Sequence, residues 1–220
     1  MANETIELLK NYEPGKMPWP ALHQQKIDGV PVIVTRMGTH CIARTRQGER
    51  VTSIPHIEQF CTAVLDSGDS VVMELHIDGL AFKEISGLVR KKAASVETRK
   101  LRGWVFDFIP AGCSQQPYAA RRTRFIDKLH QVSIGAEIPL CDLLCRIIPA
   151  VLCVNEAEAQ EAHDALMLAN PDAEGSVLHS VGKTWQPGKR CWGTQRMKPV
   201  PTIDLRVVGF EEAVLPVDHR

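Results

Sequence analysis

Short runs rich in valine and isoleucine recur along the chain, and the segments between them carry apolar residues at helical spacing. That alternation limits the fold more than any other feature. Val30–Thr35, Cys41–Thr45, Ser70–Ile77, Gly103–Ile109 and Gly175–His179, with Leu205–Phe210 near the end, predict strands. In "IPHIEQFCTAVLD", the residues Ile54, Ile57, Phe60, Cys61 and Val64 with Leu65 share one stripe, which predicts a helix. "NEAEAQEAHDALMLANPDAEG" predicts another, opened by Asn155 as N-cap and stopped at Asn170-Pro171. Tyr118–Gln131 predicts a third, strongly basic helix, while Pro110 to Gln116 and "GKTWQPGKRCWGTQRM" read as loops from their Gly, Pro and Ser content. Neither loop is long enough to separate domains, and no repeat or low-complexity tract intervenes. The expectation is one α+β domain, rich in antiparallel sheet with flanking helices, over residues 15–210, preceded by an N-terminal segment at 1–14.

Charge narrows what such a domain can do. The 220 residues hold 26 basic and 26 acidic side chains, so wholesale electrostatic capture of nucleic acid is excluded, but a local basic face is not. The seven cysteines are an odd number without CxxC pairs, which argues against a zinc site or a disulfide framework and for reduced thiols. No apolar run approaches the roughly 18 residues of a membrane span, and the N-terminus lacks the basic and apolar regions of a signal peptide. A soluble cytoplasmic protein with no membrane partner is expected.

"QQKIDGVPV" is the stretch with the most chemical content. Taken alone, Asp-Gly is the commonest short hairpin signal, so a surface turn is the plain reading. What weighs against it is the order of its companions. Glu74 emerges from the apolar run "VVMELHIDGLAF"; Phe106 and Asp107 follow in "WVFDFIP"; Glu174 and Gly175 enter a strand in "DAEGSVLHS"; Arg196 and Lys198 close the series in "TQRMKPVPTIDLRVVGF". The ordered set resembles the covalent nucleotidyltransferases, and most closely the adenylation domain of small ATP-dependent DNA ligases of phage and bacterial type. "RTRQGERVTSIP" and "GLAFKEISGLVRK" resemble two further ligase segments, so the likeness runs from Lys26 to Phe210. It implies an antiparallel-sheet-rich, ATP-grasp-like ligase catalytic core.

Each residue then acquires an expected role beside its ordinary one. A lysine amine can attack the α-phosphate of ATP and hold AMP as a phosphoramidate, which makes Lys26 the expected nucleophile. A free lysine amine is protonated at neutral pH, so nearby cations and desolvation are needed to release it. Arg196 and Lys198, two apart on a strand, would supply that charge and neutralise the reacting phosphate; without the motifs they would read as a solvated basic edge. The resemblance implies nucleotide contacts for Gln24, Gln25, Ile27, Asp28, Arg46, Glu74, Phe106, Glu174 and Lys198. Asp28 otherwise reads as a turn residue, Arg46 as a hairpin charge, and Phe106, between Val105 and Phe108, as core. Glu74 and Glu174 are the expected magnesium ligands, two carboxylates sufficing for an ion that keeps much of its water. ATP, with AMP as covalent adduct, and Mg2+ are the implied cofactors, and nicked double-stranded DNA is the implied partner of a monomer in a bacterial or phage-infected cell. Arg46, Arg90 and Lys91, with Lys92 after the hairpin expected to follow the Glu74 strand, and Arg121, Arg122, Arg124 and Lys128 in the basic helix, are candidates to face the DNA backbone, though charge runs are more often solvated faces.

The chain departs from the ligase pattern in several places. Pro31 stands where an arginine usually contacts the ribose; Arg36 or Arg44 could replace it. His179 stands where the fourth motif usually ends in lysine, which would make catalysis sensitive to pH near the imidazole's ordinary value of about 6.5. Arg196 replaces a lysine, and Gln24 replaces a frequent glutamate while keeping an oxygen able to accept from the adenine amino group. "IDLRVVGFEEA" resembles the bridge to an oligonucleotide-binding barrel, so 211–220 is read as the start of a linker to a barrel that the sequence does not contain. An RNA ligase or capping-type guanylyltransferase, or a non-catalytic binding module derived from such an enzyme, remain as alternatives.

Overall fold

The computed structural model of the chain describes residues 5–199. The expected strand Leu205–Phe210 and the 211–220 linker lie outside the described residues.

Two five-stranded sheets face each other, and alternation along each strand decides which residues line the space between them. The first sheet is built from β3 (Val30–Met37), β4 (His40–Thr45), β5 (Ser70–His76), β6 (Arg102–Ile109) and β7 (Cys145–Ile147), in the order β4-β3-β5-β6-β7. Val32 and Val34 on β3 and Val71, Met73 and Leu75 on β5 turn one way, into the main core. Ile33 and Val72 turn the other way, toward the second sheet, where they meet Ile6 and Trp185. Glu74, two residues from Val72, is therefore carried on the inter-sheet face.

The second sheet comprises β1 (Leu8–Asn11), β2 (Ala21–Gln25), β8 (Ala150–Cys153), β9 (Ser176–Ser180) and β10 (Arg190–Met197), ordered β1-β10-β9-β2-β8. Its pairs are antiparallel except β1 with β10. Ala21, Leu178 and Met197 pack beneath helix α4 (Glu156–Ala169), which leaves Gln24, Val177, His179 and Arg196 on the opposite face. The main core lies under α1 (Pro55–Val64), α2 (Phe82–Val89) and α3 (Tyr118–Ala136).

The helices end where their chemistry stops them. α1 starts with proline in its first turn, where the missing N–H costs nothing, and buries Ile57, Cys61 and Val64. Asn155 caps α4 by accepting from the Glu158 amide at 2.9 Å, as its sequence indicated. α3 buries Tyr118, Arg121, Phe125 and Leu129 and runs five residues past the expected Gln131 to a left-handed Glu137.

The plain reading of "KIDG" as a hairpin, which its companions weighed against, does not hold, because β2 and β3 belong to different sheets and the loop crosses between them. Two expectations are overturned. The segment after β5 is not a hairpin either: Phe82–Val89 is helix α2, with Ile85 and Val89 buried and the Glu84 carboxylate accepting from the Ala81 amide at 3.1 Å. Finally, "GKTWQPGKRCWGTQRM" is loop only in its first half, since Arg190–Met197 forms β10. Among the described residues no helix is long and apolar enough to cross a membrane, and Cys41, Cys61, Cys113, Cys145, Cys153 and Cys191 are free.

Candidate functional site

The crossing loop is held at both ends by hydrogen bonds to its backbone, with a glycine beside each. The Lys26 amide donates to the Gly175 carbonyl at 2.9 Å, and the Asp28 carbonyl lies 2.7 Å from His76 Nδ1. A Cβ on Gly29 would stand 2.5 Å from the Leu75 carbonyl oxygen, and one on Gly175, whose φ is +101°, would stand 2.1 Å from that of Met197. Neither position tolerates a side chain without moving a strand, so both glycines fix the height of Lys26 between the sheets.

Around Lys26 lies a cleft of about 590 Å³ whose lining includes Asp28, Arg46, Glu74, Glu174 and Arg196. A narrower pocket opens from it, lined by Gln24, Gln25, Ile27, Phe106, Ile148, Val177 and His179 together with Lys26, Arg46 and Glu74. The sequence reading thus converges on one place for most of its candidates; it missed Ile6, Glu7 and Leu9 from the N-terminal segment, and it missed Ile148 and Val177. Ile148 follows β7 and Val177 lies on β9, and an apolar residue so placed carries no chemical signal in a single sequence.

Phe106 owes its aim to an irregularity. On β6 the register with β5 jumps between Val72 opposite Asp107 and Met73 opposite Val105, leaving Phe106 as the bulged residue. The bulge puts Val105 and Phe108 into the main core while Phe106 faces the other sheet and lines the pocket.

Lys26 Nζ is ion-paired with Glu174 Oε2. An ammonium held this way is not a nucleophile until the pair opens, so the charge relation differs from the expected one, in which cations surround the amine. Arg196 does line the cleft, its Nε donating to Asn11 Oδ1 at 2.9 Å. Lys198 does not: it follows β10, is exposed, and lines a neighbouring groove with Tyr12, His163 and Arg196.

Glu74 is the most perturbed acid of the site. Burial chiefly, with Glu174 and Asp28 adding repulsion, pushes its carboxyl up to about 8 against the pull of Lys26 and Arg46. Its Oε2 is buried without a hydrogen-bond partner among the described residues. In the nucleotide-free and metal-free protein the folded state therefore keeps a proton that the unfolded chain has lost. Stability is expected to fall as pH rises from about 4.5 to about 8, by roughly 1.4 kcal/mol per unit of displacement at most. Glu74→Gln should lose that slope. Urea unfolding of parent and variant across the window checks it, and parallel curves would show that Glu74 ionises freely.

Several expected positions are corrected. His179 is buried, stacked on Tyr118 at 4.6 Å between centroids, and burial with Lys183, Arg122 and Arg121 pushes its imidazole well below its ordinary value. It stays neutral near pH 6.5 and gives catalysis no pH sensitivity there. Arg36 cannot replace the arginine absent at Pro31, since its guanidinium is engaged by the carbonyls of Leu65 and Gly38 at the far end of β3. Arg44 donates to the Gly48 carbonyl at 3.0 Å, whereas Arg46, next on the same side, lines the cleft. Arg121 is not available to DNA: it is fully buried against Asp107, with Nε to Oδ1 at 3.0 Å and a second guanidinium nitrogen to Oδ2 at 2.8 Å. Arg122 is half-buried and donates to the Ile148 carbonyl at 2.6 Å, and Lys128 pairs with Asp66 at 2.7 Å and Asp69 at 3.5 Å. Arg46, Arg90, Lys91, Lys92 and Arg124 remain exposed, Lys91 lying 3.7 Å from Glu97.

No protein-family model matches the chain. A "Probable DNA ligase" of Mycobacterium sp. (strain KMS) is 27% identical over 199 residues, covering 87% of this chain and 35% of the relative; the chain thus spans about a third of the curated relatives' length. Among solved structures, Chlorella virus DNA ligase-adenylate aligns with a TM-score of 0.66 at 18% identity, over 90% of this chain and 69% of that one. The ATP-dependent DNA ligase of bacteriophage T7 in complex with ATP gives 0.70 at 14% identity, over 89% and 69%. The fold is that of the nucleotidyltransferase domain of these ligases.

Proposed function

We propose that this chain is the catalytic core of an ATP-dependent DNA ligase. Lys26 Nζ attacks the α-phosphorus of ATP, forming a P–N bond as the bond to the leaving pyrophosphate breaks. The 5′-phosphate at a nick in duplex DNA then displaces the lysine and takes the AMP. Attack by the adjacent 3′-hydroxyl on that 5′-phosphate releases AMP and seals the strand.

The observation that carries this reading is the meeting of Lys26, Glu74, Glu174, Arg46 and Arg196 in one cleft beside a pocket of purine-accepting character. Phe106 offers an aromatic face to the base, with Ile148 and Val177 as apolar walls, and Gln24 supplies a buried amide. Arg46 and Arg196 line the cleft with Lys26 and would neutralise the charge that develops on the phosphate. Pro31 lines the same cleft and has no donor to offer the ribose, which leaves that contact to Arg46.

Glu74 and Glu174, both on the cleft wall, suit a magnesium ion that keeps water and phosphate oxygens as its other ligands, and a partnerless Glu74 oxygen fits that use. When bound, the ion would neutralise phosphate charge and compete with Lys26 for Glu174. Among the described residues no cluster of three His, Cys, Asp or Glu side chains is placed to hold a metal. Exposed Arg46, Arg90 and Arg190 border the cleft and would meet DNA phosphates.

The test is intact mass after incubation with ATP and magnesium, followed by addition of nicked duplex. A gain of about 329 Da, lost again when a 5′-phosphorylated nick is supplied, is the expected result of a lysyl-AMP intermediate. Labelling that persists with nicked DNA but is discharged by RNA ends or by a diphosphate-ended RNA would replace this reading with one of its relatives.

A further inference from the structure

We propose that Tyr118, on helix α3 and outside the cleft, sets the base specificity of the pocket by fixing which end of the Gln24 amide faces the nucleotide. The inference rests on the reading of the pocket as a purine site.

The argument follows the direction of each hydrogen bond. Phe106 is the bulged residue of β6, and its carbonyl oxygen lies 2.9 Å from the Tyr118 hydroxyl. A carbonyl only accepts, so the single phenolic proton must point to Phe106. Burial, with the charge of Asp107, raises the phenol's pKa, so that proton stays in place. The hydroxyl oxygen can then act toward Gln24 only as an acceptor. Gln24 is 1% exposed, and its side chain meets that oxygen at 3.0 Å; the atom in contact must therefore be the amide nitrogen. The Arg122 guanidinium beside the phenol is a donor only and calls for the same polarity.

The amide oxygen is thereby left over. Gln24 Oε1 is buried, has no hydrogen-bond partner among the described residues, and belongs to a side chain lining the pocket. A buried acceptor in that position rewards a donor on the base and penalises a second acceptor. The 6-amino group of adenine satisfies it. The 6-oxo group of guanine or hypoxanthine does not, and a free glutamine could accommodate either by rotating its amide. Tyr118 removes that freedom, acting as a positioning residue through Gln24.

The proposal is tested by the ratio of covalent labelling with ATP to labelling with GTP and ITP. The parent should favour ATP, and Tyr118→Phe should lower the ratio on the order of tenfold, because the amide can then turn its nitrogen to the 6-oxo group. An acceptor-only side chain cannot turn in this sense, so Gln24→Glu placed in the Tyr118→Phe background should restore the preference. A merely structural role for Tyr118 predicts weaker labelling by all nucleotides with the ratio unchanged, and that result overturns the proposal. If Tyr118→Phe fails to fold, the parent decides: equal labelling by ATP and ITP overturns the inference, and preference for ATP that vanishes in Gln24→Met upholds the amide's role. Should the parent form no adduct, the same ratios are read from equilibrium binding. Failure of the underlying reading looks different, since no purine nucleotide would then bind or label at all.

Discussion

Lys26→Ala is expected to carry no covalent nucleotide under conditions where the parent gains about one AMP, and to seal no nicks. Among the described residues no other lysine lines the cleft. Arg46 and Arg196 are guanidinium groups that do not deprotonate in proteins, and Lys198 lies in a neighbouring groove. Lys26→Arg should fail equally, which separates loss of a nucleophile from loss of a charge. The fold should survive either change. The side chains of Lys26 and Glu174 are 20% and 42% exposed, and a pair so open to water contributes roughly 0 to 1 kcal/mol. Circular dichroism and a urea midpoint near the parent's, alongside absent labelling, are the expected combination. An adduct of full stoichiometry in Lys26→Ala would place the nucleophile elsewhere.

The same pair bears on how the reaction starts. Glu174 is paired with the amine in the nucleotide-free protein, so any agent that draws Glu174 away opens that pair and leaves the amine accessible. Arg46 and Arg196 line the same cleft as the pair. The sequence reading assigned the release of the proton to neighbouring cations and desolvation, and the pair adds an acid beside the amine that it did not include.

Much of the site was legible because its chemistry sits on strands with a strict period of two. Glu74 in "VVMEL" shares parity with Val72, and that parity put it between the sheets. The strands that escaped notice, β7 in the first sheet and β1, β2, β8 and β10 in the second, have few β-branched residues and are made by pairing with distant partners rather than by local preference. Gln24, Val177 and Arg196 are carried by that sheet, so the motif was readable but its geometry was not. The bulge at Phe106 was hidden for a similar reason: "WVFDF" alternates as well with it as without. Arg121 was misread for a reason the sequence could have corrected. Tyr118, Arg121, Phe125 and Leu129 are spaced by three, four and four, so the arginine falls on the apolar stripe of α3 and not on its charged face.

That misplaced arginine leads to the largest expected effect on stability. Asp107→Ala should cost about 3 to 5 kcal/mol, because it strands a guanidinium with no water to replace its partner. Arg121 is fully buried, with both contacts to Asp107 near 3 Å, and its third nitrogen bonds the backbone of Gln116 and Lys183. The network extends further, since Lys183 lies 3.7 Å from Asp107 and 2.7 Å from Glu7, whose other oxygen accepts from the Gln186 amide at 3.0 Å. Two acids and two bases thus neutralise one another behind the pocket. Removing Asp107 leaves two positive charges against one negative. The double variant Asp107→Ala, Arg121→Met should be more stable than Asp107→Ala alone, as it removes the orphaned charge and keeps volume in the core. Urea unfolding of the three proteins measures the coupling, and a double variant no better than the single would show that the cost is packing rather than charge. Tyr118 and Phe106 are anchored to these same elements, so Asp107→Ala should also blur the pocket's choice of base, whereas the more stable double variant should recover part of it.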